Sequence, residues 1–526
     1  MNTNSMSNDN DNPHLGPLLE KLRPFQREAF DFATRGIVSG RQWEKVPVRP
    51  TQRKNGKHSG KGNKCTTGDD DDYDATKSFK YDAQYLGKGK ILLADEMGLG
   101  KTITSLAIMT NYFGEWPLLV LCPASLRHTW PAEIEKFLPT LSPSSIYVVQ
   151  GFDDADFFRN ENKRKRIKVV VATYSLLQHR SASAKVLAQF RFRCVIADES
   201  HNLKEKSSQR CQLAMPLLQE ANRVVLLSGT PALARPVELW PQVHCLAPSL
   251  FGAYTPYTRR YCNARRGRFG WDVSGLTNAG ELHNKLRQVM VRRLKSAVLS
   301  ELPPKQRSIV PISIDGQHAK DGRAHLETLR QTRLSLSDLT GDDARSADFE
   351  ARRLLMMAYQ QSGIGKASNV AAYLLDWLNG SATQKILVFG HHKEVLDTLE
   401  KGVSKKLKGV GHIRIDGTVS SKERAARVKK FQSNARTRVA LLSMTAAGVG
   451  LTLTAASSVL FAELHWTPGV LAQAEDRCHR IGQANAVNVM YCVCKDPELS
   501  VDTQLWSMLG RKVRNLGQVI DGCKVS

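Results

Sequence analysis

The chain has 526 residues, with 75 Lys plus Arg against 50 Asp plus Glu and a formal net charge of +25 at pH 7. That length predicts two to four domains, and a cationic excess of this size favours a polyanionic partner, nucleic acid before membrane. No apolar run is long enough to span a bilayer, residues 1–13 lack the apolar core of a signal peptide, and the ten cysteines include no C-x-x-C pair. Neither a zinc site nor a disulfide framework is therefore supported, and a reducing compartment is expected.

Residues 1–17 read as a disordered N-terminal tail. Leu18 to Phe32 alternates apolar and charged residues at helical spacing, with Pro24 placed to start the helix. Gln26 reads there as an exposed-side amide. Between Gly40 and Leu86 the composition turns Gly-, Lys- and Asn-rich, with the acidic block Asp69 to Asp72. Such a segment buries too little apolar surface to offset its ordering entropy, so a low-complexity insertion is expected over 41–86.

The stretch from Lys90 to Thr110 organises the remainder of the chain. Ile91-Leu92-Leu93-Ala94 is a short apolar run typical of a buried strand, and Ile103, Leu106, Ala107 and Ile108 recur at helical spacing. Between them, Asp95-Glu96-Met97-Gly98-Leu99-Gly100 forms a loop closed by Lys101-Thr102. A strand that breaks into glycines and restarts as a helix offers backbone N–H groups and a helix N-terminus to a phosphate. Lys101 would reach the β- and γ-phosphates and the Thr102 hydroxyl would ligate Mg²⁺. The general G-x-x-x-x-G-K-[ST] pattern has glycine where this chain has Asp95.

Further strands are expected at Leu118 to Cys122, Ile146 to Val149, Val169 to Ala172, Cys194 to Ala197 and Val224 to Leu227, separated by helical stretches. That alternation implies a parallel sheet with right-handed crossovers and a ligand at the C-terminal strand ends. Asp198-Glu199 comes directly after one such strand. Phosphoryl transfer needs one carboxylate for the metal and a second for the attacking water, and Asp198 and Glu199 suit those roles in that order. Pro248 to Arg307 is basic (Arg259, Arg265, Arg266, Arg268, Arg292, Arg293, Lys295), with Tyr254, Tyr257, Tyr261, Phe269 and Trp271 interleaved. Part of this helical stretch is expected to track a phosphate backbone. A second α/β lobe comes next, with strands at Lys385 to Gly390, Ile413 to Asp416, Val439 to Ser443 and Ser458 to Ala462, and no phosphate loop of its own. It would contribute from across a cleft. In QAEDRCHRIGQ, Gln473, Arg477 and Arg480 fall on one face of a helix expected over Gly469 to Arg480, placed to act as arginine fingers do.

The ordered set LRPFQ, DEMGLGKT, PAS, DESH, LSGTP, RRLKSAVLSELPPKQ, GVGLTLTAAS and QAEDRCHRIGQ resembles the SWI/SNF-type helicase-like ATPases. Asp95 in DEMGLGKT is that family's own variant of the phosphate loop. RYCNARRGRFGWDVSG, FGHHKEVLD and FAELHWTPGVLAQAEDR resemble its HepA-related annealing helicases, also called SMARCA-like proteins. The resemblance implies an α/β fold of two tandem RecA-like lobes, spanning 18–247 and 308–526, joined by a helical basic protrusion at 248–307. It implies ATP and Mg²⁺ in the cleft and movement on duplex, forked or branched DNA that reanneals strands or remodels replication forks. Nucleosome remodelling and a non-catalytic DNA-binding scaffold are the alternatives.

Carried over by motif, Arg23, Gln26 and the loop from Asp95 to Thr102 would bind nucleotide, with Gln26 reading adenine. Thr102 and Asp198 would hold Mg²⁺, and Lys101, Glu199, Gln473, Arg477 and Arg480 would be catalytic. Ser125, Ser228, Thr230 and Thr452 would couple hydrolysis to DNA. A nuclear monomer is expected; no docking motif for a single-strand-binding protein, DNA-recognition repeat, zinc finger or nuclease is visible in the sequence.

Overall fold

The computed structural model describes residues 12–38 and 81–522, apart from 153, 155–159, 179–180, 268–269, 300, 315, 337–338, 382, 407–408 and 445–450. In the N-terminal lobe the strands are β1 (Lys90–Leu93), β2 (Leu118–Cys122), β3 (Ile146–Val148), β4 (Val169–Thr173), β5 (Cys194–Asp198) and β6 (Arg223–Leu227). A two-stranded antiparallel ribbon, β7 (Arg265–Gly267) and β8 (Gly270–Asp272), stands apart, and the short β9 (Met290–Val291) returns to the sheet. The sheet order is β3-β4-β2-β5-β6-β1-β9 and every pairing is parallel. β2, β4 and β5 are continuous apolar runs because helices cover both faces. Leu119 and Leu121 enter one core with Val195 and Leu226, while Leu118 and Val120 enter the other with Ile91 and Leu106.

The second lobe repeats the plan with β10 (Lys305–Pro311), β11 (Ile386–Gly390), β12 (Gly411–Ile415), β13 (Thr437–Ser443), β14 (Ser458–Phe461) and β15 (Val487–Val493). Its order is β10-β15-β14-β11-β13-β12, again all parallel. Two long helices, Gly316–Ser335 and Gly341–Asn379, run between β10 and β11. The second buries Leu374 and Leu378 against Val388 and Leu441 of the sheet.

Several sequence expectations change. The stretch 1–17 is not all a disordered tail: Leu15 is buried in the Leu15–Glu20 helix against the N-terminal core, and Asn12 Nδ2 donates to Thr110 O at 2.7 Å. The stretch 248–307 is not a separate helical protrusion: Phe251, Tyr257, Tyr261, Leu282, Leu286 and Met290 sit in the N-terminal lobe's core, and β9 completes its sheet. Apolar spacing in that stretch serves burial, while the intervening cations hide it from composition. The chain then enters the second lobe at Lys305. Nor does 308–526 stay in one lobe. After the Asp502–Leu516 helix, Leu516, Val519 and Ile520 pack into the N-terminal core, and Val519 O is 2.9 Å from His283 Nδ1. The helix starting at Pro468 ends at Glu475, so Gln473, Arg477 and Arg480 do not share a helical face.

The insertion reading also shortens at its far end. Residues 39–80 lie outside the described residues, but Asp82 N–H donates to Gln288 Oε1 at 2.9 Å and the Tyr81 ring meets Phe32 edge-on at 6.1 Å. Leu86 packs on the core beside Gly36, and Gly87 N–H and Gly89 N–H donate to Phe32 O and Ala33 O. The chain thus leaves and re-enters the lobe at adjacent points, and closing a shorter loop between them costs little. Deletion of residues 41–78 should leave the thermal midpoint within a few degrees of the full chain in a calorimetric scan. A collapse of the transition would show that the segment supports the fold.

Candidate nucleotide site between the lobes

β1 runs directly into the glycine loop. Gly98 and Gly100 have φ of 84° and 76°, left-handed values that disfavour a side chain, and Gly100 caps the Lys101–Thr110 helix. Both also permit close approach. A Cβ on Gly100 would lie 2.3 Å from Gln26 Nε2, and one on Gly98 would lie 2.9 Å from Arg480 Cβ. Lys101 folds its ammonium back on the loop, donating to Asp95 O at 2.8 Å and Glu96 O at 3.3 Å. Thr102 stands in the first turn of the helix.

Gln26 is not the exposed amide expected. It is 4% exposed, accepts from Arg23 N–H at 2.9 Å and donates to Leu99 O at 3.0 Å, bracing the loop from behind. Among the described residues, one amide N–H and one lone pair are left over. Arg23 is exposed at the helix N-cap, with Pro24 at the first helical position.

Asp95 does not point at the phosphate position. Its carboxylate is buried in a bidentate pair with Arg293, Nε–Oδ1 2.9 Å and Nη2–Oδ2 2.5 Å, both side chains being almost fully enclosed. Arg292 donates to Ala94 O at 2.7 Å, Gly229 O at 3.0 Å and Asp521 Oδ1 at 2.9 Å. Glu96 accepts from Lys295 N–H at 2.6 Å. Arg292, Arg293 and Lys295 belong to the basic stretch of which part is expected to track DNA, but here they are enclosed fasteners of this loop.

At the end of β5, Trp130 Nε1 donates to Asp198 Oδ2 at 3.0 Å and Glu199 N–H to Asp198 Oδ1 at 2.8 Å, fixing that carboxylate. Glu199 has φ 49° and ψ 53°, a strained conformation for a non-glycine residue and one that clusters at functional sites. Burial, with the neighbouring Glu199 charge, pushes Asp198 up to about 7. Burial also opposes ionisation of Glu199, but His201, Lys101 and Arg477 outweigh it and hold its pKa below the usual carboxylate value.

A polar chain leads from this carboxylate to the other lobe. Glu199 Oε2 lies 3.3 Å from His201 Nδ1, which is 3.1 Å from Ser228 Oγ. Ser228 Oγ accepts from Thr230 N–H at 3.3 Å, and Thr230 Oγ1 accepts from Gln473 Nε2 of the second lobe at 3.2 Å. Arg477 is 5% exposed, and its Nε and Nη2 find no hydrogen-bond partner among the described residues. Burial pulls it down to about 10, with Glu199 the main charge working against that. Arg480 rests its Cβ on Gly98 and donates to Thr452 Oγ1 at 2.9 Å. Part of the GVGLTLTAAS motif, residues 448–450, lies outside the described residues. Ser125 is half-buried in the turn after β2.

The segment carrying both arginines is held by the joint between the lobes. Glu475 takes a bidentate pair from Arg307 (2.9 and 2.7 Å), a contact from Lys305 at 2.8 Å and the Tyr491 hydroxyl. Asp476 pairs with Lys295 at 2.8 Å, and Lys295 also donates to His479 O at 2.5 Å. The structure therefore gathers Lys101, Thr102, Asp198, Glu199, Gln473, Arg477 and Arg480 around one cleft, with Ser228 and Thr230 between them. Sequence reasoning missed Trp130, His201 and the joint cations; only RRLKSAVLSELPPKQ, quoted for its resemblance, signalled the latter.

The sequence matches the SNF2-related domain over residues 79–338 and the helicase conserved C-terminal domain over residues 368–482. The chain belongs to the SNF2-related helicase-like family. Among SNF2-related relatives, it is 41% identical over 441 residues to the "DNA annealing helicase and endonuclease ZRANB3" of Bos taurus, covering 83% of this chain and 39% of that protein. It is 41% identical over 434 residues to the "SWI/SNF-related matrix-associated actin-dependent regulator of chromatin subfamily A-like protein 1" of Xenopus tropicalis, covering 82% and 43%. The chain thus spans about two fifths of the length of these curated relatives. A solved structure, "Sulfolobus solfataricus SWI2/SNF2 ATPase core in complex with dsDNA", is 23% identical, with 82% of this chain and 89% of that one covered at a TM-score of 0.36.

Removing one partner of the Asp95–Arg293 pair strands a buried charge, which costs about 3 kcal/mol or more. Asp95→Leu and Arg293→Met should each lower unfolding free energy by that order in denaturant titrations. The double replacement should recover much of the loss, and simple additivity would refute the coupling. Glu475 is held down at about 2 because Lys305 and Arg307 outweigh its burial. A depressed folded pKa adds stability above the unfolded value, lost as pH falls through the folded one. The stability advantage of wild type over Glu475→Gln should therefore be full near pH 6 and shrink between about pH 5 and pH 2.

Proposed function

We propose that this chain is a DNA-dependent ATPase whose two lobes close on ATP and drive movement along duplex DNA, reannealing strands or remodelling branched structures. The observation that carries this reading is the delivery of Arg477 and Arg480 from the second lobe onto the glycine loop and the Glu199 carboxylate of the first. Two features of the cleft suit a polyphosphate. Burial lowers the pKa of both Lys101 and Arg477, the mark of cations short of negative partners, and the Arg477 guanidinium has idle donors.

Lys101 would release the loop carbonyls and bind the β- and γ-phosphates, with the loop N–H groups lining them. Thr102 and Asp198 would hold Mg²⁺, which would neutralise phosphate charge. Glu199 would orient and deprotonate the attacking water, and Arg477 with Arg480 would stabilise negative charge on the transferring group. Gln26 has spare hydrogen-bonding capacity for adenine. Gln473, Thr230, Ser228 and His201 would report the state of the water-side carboxylate to the second lobe. DNA as the partner is supported by the net charge of +25 and by the annealing-helicase names of relatives that share this core.

Lys101→Ala or Glu199→Gln should abolish hydrolysis while DNA binding, read by fluorescence anisotropy, stays near wild type; retained turnover would refute the site. Arg480→Ala and Arg477→Ala should each slow steady-state hydrolysis by roughly 10³-fold. A change below tenfold in both would mean the second lobe does not complete the site. Hydrolysis by the wild type that no DNA stimulates would overturn the motor reading.

A further inference from the structure

Most aromatic and basic residues between Pro248 and Arg307 are consumed by the fold. Tyr257 and Tyr261 are core residues, Arg260 pairs with Glu281, and Arg292, Arg293 and Lys295 fasten the glycine loop. The β7–β8 ribbon is what remains outside. Arg265, Arg266, Gly267, Gly270 and Trp271 are all exposed, and Trp271 reaches 61%.

The register makes its two faces chemically different. Arg266 is directly opposite Trp271, so the two side chains share one face, while Arg265 opposite Asp272 lies on the other. The Arg265–Asp272 face is internally compensated by an ion pair at 3.4 Å. On the opposite face the Arg259 guanidinium stands 5.9 Å from the Trp271 ring centre, and Arg266 has no carboxylate or hydrogen-bond partner among the described residues. One face is thus a bare indole flanked by two cations.

The base of the ribbon is firmly fixed. Ala264 N–H donates to Thr258 O, Thr277 N–H to Tyr261 O, and Thr277 Oγ1 and Asn278 Nδ2 both to Arg260 O. A Cβ on Gly275 would lie 2.7 Å from Asn263 Cβ, so the two legs touch. A free-standing two-stranded ribbon is marginal by itself, and an outward Trp adds nothing to the core. The fold does not account for Trp271.

We infer that the Arg259–Arg266–Trp271 face is a nucleic-acid contact that stacks an unpaired base where a duplex opens into single strands. This rests on the proposed DNA motor. Indole stacking needs an uncovered base face, which duplex interiors lack and junctions, ends and single strands provide, while the adjacent guanidinium groups answer the phosphates. The chain's large positive charge fits the same partner.

The test uses the full chain with forked and blunt duplex DNAs carrying 2-aminopurine at the first unpaired position or inside the duplex. Wild type should quench the junction probe and bind the fork more tightly than the blunt duplex. Trp271→Ala should lose that quenching and at least fivefold of the fork preference, with DNA-free ATPase unchanged, and Trp271→Phe should restore most of both. Arg266→Ala should weaken binding to every DNA and reduce the salt slope by about one. Wild-type hydrolysis indifferent to all DNA would sink the motor reading itself. DNA-stimulated hydrolysis with unchanged quenching and fork preference in Trp271→Ala would overturn this inference alone, leaving the ribbon as a protein-facing surface.

Discussion

A single buried ion pair pins the glycine loop after β1. Asp95 stands where a generic phosphate loop has glycine, and its carboxylate is gripped by Arg293, a residue almost two hundred positions later that lies just past the last strand of the same sheet. Such a pair confers little net stability compared with an apolar substitute but penalises any arrangement that separates it. Its effect is specificity of geometry: the loop is pinned from behind, beside Arg292 on the Ala94 and Gly229 carbonyls, so that its front stays available for a ligand.

The same short segment governs the second lobe. Lys295 leaves the loop's Glu96 and reaches Asp476 and the His479 carbonyl, while Lys305 and Arg307 enclose Glu475. These contacts lie at the end of the Pro468–Glu475 helix and hold the turn bearing Arg477 and Arg480 against the glycine loop. Ligand loop and arginine donors are thereby positioned by one stretch of chain.

The parallel strands of both lobes were largely legible, because β2, β4, β5, β11 and β13 are buried on both faces and their apolar runs have no competing reading. β10 and β15 were not: β10 is an edge strand, largely exposed and polar, with no periodic signal, while β15, although buried, was not read from its apolar run. β9 is two residues long and indistinguishable from a helix end. For the site, the residues of the glycine loop and Asp198 with Glu199 could be located by local order alone, since a strand end fixes where they point. Arg293, Trp130 and Gln26 could not be placed so, because their partners are distant in sequence and only the assembled sheet brings them together. The basic stretch 248–307 misled for a related reason, since composition does not reveal which cations have carboxylates waiting for them in the fold.

Leu516, Val519 and Ile520 belong to the N-terminal lobe's core although they come after every strand of the second. On a ribosome the first lobe therefore cannot be finished when its own strands have emerged. The core around Leu282 and Leu286 lacks part of its packing until residue 520 is out, contrary to the usual order in which an N-terminal unit matures first. Until then the apolar face that Leu516, Val519 and Ile520 cover is left exposed.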